Sequence, residues 1–79
     1  MSNKEELKKI FIESLSIDKK NFSENIKYNS VPQWDSIGHM TLVAAIEEKF
    51  KITIDTDDIV DFSSFKKGIE ILKKYEINF

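Results

Sequence analysis

Trp34-Asp35-Ser36-Ile37 is the stretch on which the reading of this chain turns, because a helix is expected to begin there and the rest reads as its scaffold. Asp35 and Ser36 are both residue types that cap a helix N-terminus by accepting a bond from one of its free N–H groups. Behind them, Ile37, Met40, Leu42, Val43, Ala45, Ile46 and Phe50 supply more apolar positions than one buried stripe needs. Leu42, Val43, Ala45, Ile46 and Phe50 make a coherent core face, which predicts a helix over about 36–50. Ile37, Met40 and Ala44 stand at i, i+3 and i+7 and form a second stripe beside Ser36. Such a stripe serves either as extra core or as a partner-binding surface, for which a flexible methionine is well suited.

Upstream of this helix the chain divides in two. Ser2 and Glu5 have the spacing of a capping box, and Leu7, Ile10, Phe11 and Leu15 follow at helical spacing with lysines and glutamates between them, which predicts a first amphipathic helix. From Ser16 to Gln33 the period is lost among turn formers, with isolated apolar residues such as Phe22 between them. A long loop is expected there, ordered in its first half by side chains pinned into the core, with Pro32 delaying the next helix.

Downstream, Ile52 and Ile54 read as a connection lying against the bundle, since a lone strand is not viable. Asp55-Thr56-Asp57-Asp58 opens a short third helix, its acids favourable at the N-terminal end. These acids lack the glycine and terminal glutamate of a calcium loop, so no metal site is expected. Ser63 or Ser64 caps a last helix with Phe65, Ile69 and Leu72 inward and Gly68 allowing close approach of a neighbour. The tail from Glu76 to Phe79 is expected to fray unless Ile77 and Phe79 find a groove. The predicted fold is all-α: a four-helix bundle with a long first loop and a short third helix, in one domain over 1–79.

Composition limits the function. With 41% hydrophobic and 33% charged residues the chain reads as globular, and no apolar run or secretory signal is visible, so a cytoplasmic monomer without a membrane span is expected. Cysteine is absent, and with it disulfides, thiolate metal sites and a cysteine nucleophile. Residues 34–62 hold two lysines against seven acids, and the chain has no arginine, which argues against nucleic acid and for a basic protein surface as partner.

Ser36 is poorly placed as a hydrolytic nucleophile. Its nearest imidazole, His39, lies three residues along the same helix with no residue to orient it, and is expected to be a solvated helix residue. A phosphate ester on a serine at a helix start needs no base from this chain, because free N–H groups and the helix dipole stabilise it. Phosphorylation and any other phosphodiester satisfy that argument equally, and a plain helical interaction module with Ser36 as its cap is the alternative from another class.

Asp35-Ser36-Ile37, with Met40, Leu42, Val43, Ile46, Glu47, Phe50, Ile52 and Ile54 after it, resembles the Asp-Ser-Leu signature and second helix of acyl carrier proteins. The capped first helix, long loop, acidic short helix and Ser-Ser-capped last helix match the family's order across roughly the whole chain. The resemblance implies a non-catalytic carrier. A phosphopantetheinyl transferase would attach the 4'-phosphopantetheine of coenzyme A to Ser36, and an acyl group would ride on the arm's thiol as a thioester. It also implies that Asp35 assists the attachment and that Trp34, Ile37, Met40, Ala44, Glu47 and Glu48 face acyl-loading, acyl-transfer or condensing enzymes. An aminoacyl or peptidyl carrier shares all these features. Gln33-Trp34 before the Asp-Ser pair, and Gly38 and Thr41 at positions often acidic in bulk fatty-acid carriers, suggest a specialised member serving surface-polysaccharide or secondary-metabolite synthesis.

Overall fold

The computed structural model describes residues 2–79 and is all-helical: α1 (Asn3–Ser14), α2 (Ser36–Phe50), α3 (Thr56–Asp61) and α4 (Phe65–Lys73), with a single 3-10 turn at Lys19–Asn21. Each long helix starts where the sequence places a cap. The Ser2 hydroxyl accepts from the Glu5 N–H, the Asp35 carboxylate from Gly38, and the Ser64 hydroxyl from Lys67. α2 ends at Lys51, whose left-handed backbone (φ 56°) breaks the helix.

The core is built around Phe11. Its ring meets Trp34 edge-on at 5.3 Å, Phe65 edge-on at 5.2 Å and Phe22 edge-on at 6.1 Å, and stacks on Phe62 at 6.1 Å. Aromatic rings prefer such edge-to-face and offset contacts, so one side chain of α1 fixes the loop, α4 and the α3–α4 junction together. Gly68 lets α4 close on this cluster, since a Cβ there would collide with the Phe62 ring.

The long loop is held along its whole length, not only in its first half. Ile17 and Ile26 are buried. The Phe65 N–H donates to the Ile26 carbonyl at 3.1 Å and the Tyr28 N–H to the Ser63 carbonyl at 2.9 Å, around an isolated bridge between Lys27 and Ser64. Asn29 then takes a left-handed conformation (φ 66°), which asparagine tolerates, and its N–H reaches the Trp34 carbonyl at 3.0 Å. This turn closes residues 29–34 and delivers Trp34 to the core.

The C-terminal segment is also tied down. Ile77 is buried, and the Asn3 side chain donates to the Asn78 carbonyl at 2.8 Å. The Tyr75 hydroxyl and the Lys74 ammonium both donate to the Asp58 carboxylate, at 2.7 and 2.6 Å. The lysine first, and the phenol second, hold the Asp58 carboxyl below its usual range. A helix of six residues has little stability of its own, so these bonds keep α3 in place.

Candidate functional site

Ser36 is the first residue of α2, and it is exposed. The capping role belongs to Asp35, whose Oδ1 accepts from the Gly38 N–H at 2.9 Å. The Ser36 hydroxyl is thereby released from capping, and its Oγ lies 3.2 Å from the Tyr28 hydroxyl. A helix leaves its first N–H groups without intrahelical acceptors, so an anion joined to Ser36 would sit at the positive end of the dipole.

Beside Ser36, between α2 and α3, lies an apolar cleft of about 360 Å³ lined by Tyr28, His39, Met40, Ile59, Val60 and Phe62 together with the serine. Its floor is fixed by a chain of hydrogen bonds. The Trp34 indole N–H donates to His39 Nδ1 at 2.9 Å, which leaves the imidazole proton on Nε2, 2.9 Å from the Ile59 carbonyl that accepts it. The imidazole lies nearly parallel to the indole at 18° and so bridges α2 to α3. Both of its nitrogens are committed, and His39 is a half-buried pin, not the solvated residue expected from sequence; it offers Ser36 no free base.

Of the expected partner-facing residues, four are displayed and two are not. Ile37 and Met40 are 80% and 56% exposed, and Ala44 and Glu48 are exposed as well. Trp34 is a correction: it is 0% exposed, packed on Phe11 and bonded to His39, so no partner can reach it. Glu47 is half-buried, and its Oε2 accepts the Ile54 N–H at 2.8 Å, which makes it an anchor for the α2–α3 connection. Asp35 stands next to Ser36 as expected, with capping as its visible task.

Sequence reasoning missed Tyr28 and Val60. Val60 is 76% exposed and extends the Ile37–Met40 apolar patch across the cleft onto α3. Ile59 and Val60 lie about 100° apart on α3, and the half-buried Ile59 takes the inward side, which leaves Val60 turned outward. The departures at Gly38 and Thr41 have local causes. A Cβ at Gly38 would strike the Gln33 carbonyl, and the Thr41 hydroxyl turns back to the Ile37 carbonyl at 3.1 Å.

Among the described residues no helix is long and apolar enough to cross a membrane, and no three His, Cys, Asp or Glu side chains are grouped to hold a metal. The family model described as phosphopantetheine attachment site matches residues 5–69, from the first turn of α1 into α4. No curated protein sequence matches the chain.

Proposed function

The chain belongs to the phosphopantetheine-attachment family, non-catalytic carrier domains that hold a covalent 4'-phosphopantetheine, and from that premise we propose that Ser36 is the attachment residue of an acyl carrier protein. One observation carries the assignment: Asp35 caps α2, so an exposed serine hydroxyl at the helix start is not used as the cap. The surroundings fit the group. The helix N-terminus suits the phosphodiester, and the adjoining apolar cleft suits an uncharged arm or cargo. Once attached, the arm supplies the thiol that this cysteine-free chain lacks, and holds an acyl group on it as a thioester.

The protein's own residues then do three things. Asp35 fixes the start of α2 and so the position of Ser36, the Trp34–His39–Ile59 bridge keeps α3 alongside, and Ile37, Met40, Ala44 and Val60, with Glu48, offer partners a surface. Those partners are a phosphopantetheinyl transferase and the enzymes that load, transfer or condense the acyl group. The carrier works as a monomer in the cytoplasm. Incubation with coenzyme A, magnesium and a broad-specificity transferase adds one phosphopantetheine by mass, and Ser36→Ala abolishes the gain; wild-type protein that gains no mass overturns the assignment.

The carrier serves a dedicated pathway, such as surface-polysaccharide or secondary-metabolite synthesis. The support is the docking surface at the start of α2, where Ile37, Gly38, Met40 and Thr41 present no charge. A partner recognising it needs an apolar contact more than a basic one. Expression in a strain lacking its fatty-acid-synthesis carrier leaves growth unrestored, and full rescue would refute the dedicated role.

A further inference from the structure

We propose that Tyr28 is a positioning residue for modification of Ser36, its phenol holding the serine hydroxyl in one rotamer at the mouth of the cleft. This inference rests on Ser36 being the attachment residue. A serine at the first position of a helix, exposed and not used as the cap, would otherwise turn among three staggered wells. Here its Oγ meets the Tyr28 hydroxyl at 3.2 Å, and whichever oxygen donates, the contact selects one well.

The phenol can do this because it is itself held. The Tyr28 N–H is bonded to the Ser63 carbonyl at 2.9 Å, and its ring lies edge-on to His39 at 5.5 Å and to Trp34 at 6.1 Å. Those two rings are in turn locked by the bridge to Ile59. The serine oxygen is thus referenced to a rigid aromatic cluster, although its own helix end is solvent-exposed.

The step that benefits is a phosphoryl transfer. Ser36 Oγ forms a bond to the phosphorus that carries pantetheine in coenzyme A, and the bond from that phosphorus to the bridging oxygen breaks. Adenosine 3',5'-bisphosphate leaves with the electron pair, and the serine proton passes to a base of the transferase. Orientation of the attacking oxygen contributes directly to such a reaction. Loss of one neutral hydrogen bond corresponds to roughly a three- to tenfold effect.

The test compares wild-type apo-protein with Tyr28→Phe, which keeps the ring, and with Thr53→Val, which removes an exposed hydroxyl on the α2–α3 connection. Loading is followed with coenzyme A, magnesium and a transferase. The expected result is a kcat lower by roughly three- to tenfold for Tyr28→Phe with KM for the carrier unchanged, and wild-type kinetics for Thr53→Val. In parallel, the Hα–Hβ couplings of Ser36 report one rotamer in the wild type and averaging in Tyr28→Phe. Equal kcat for Tyr28→Phe and wild type overturns the proposal while leaving the attachment reading intact, as do averaged couplings in the wild type itself. Wild-type protein that gains no mass instead removes the attachment reading beneath it.

Discussion

α2 and α4 begin with nearly the same device put to opposite uses. Each start carries two successive residues able to cap, Asp35-Ser36 at α2 and Ser63-Ser64 at α4. At α4 the second of the pair is consumed: the Ser64 hydroxyl accepts the Lys67 N–H at 3.0 Å. At α2 the cap falls one residue earlier, to Asp35, and the second hydroxyl is left for the cleft and Tyr28. The shift of one position separates a serine that stabilises a helix from one that is available for chemistry.

The contrast can be broken by substitution. Its largest expected effect is the loss of all mass gain in Ser36→Ala, measured by intact mass after incubation with the transferase, with the melting temperature preserved because no cap is removed. Next comes Gly38→Ala, which sets a methyl group against the Gln33 carbonyl. Backbone cannot yield as a side chain does, so a loss of about 1–3 kcal/mol is expected in urea unfolding. A neutral result would mean that the loop before α2 adjusts freely. The smallest effect belongs to Ser64→Ala, about 1 kcal/mol of stability by the same measurement, with loading at the wild-type rate. If Ser64→Ala instead blocked loading, the division of labour between the two helix starts would fail.

The helices and their candidate caps were legible in the sequence because they depend on residues within one turn of each other, whereas the Ile37–Met40 stripe could be read from its spacing as either extra core or partner surface. Both members of the Asp35-Ser36 pair were visible as caps, but the choice between them is made by backbone geometry that residue type alone does not encode. Trp34 was misread for a different reason. It follows Pro32 and Gln33 with no apolar period around it, and its burial is decided by Phe11 in α1 and by His39 across the helix start. Glu47 has the spacing of an outward residue near a helix end, yet the connection after α2 folds back so that the Ile54 N–H finds it. Tyr28 and Ser36 are joined across eight residues of irregular chain, a distance over which no periodicity operates. The part of the site that local pattern cannot reach is therefore the part made by the loop.

The clamp between that loop and the start of α4 has a consequence for the order of folding. Ile26 bonds to Phe65 and Tyr28 to Ser63, so the segment carrying Tyr28 is set only when a long stretch of chain, with all of α2 and α3 inside it, has closed. Closing a loop of that length costs entropy before its contacts repay it. The contact that orients the Ser36 hydroxyl therefore draws on the closed chain as well as on neighbours in sequence, and it reports on the docking of the last helix.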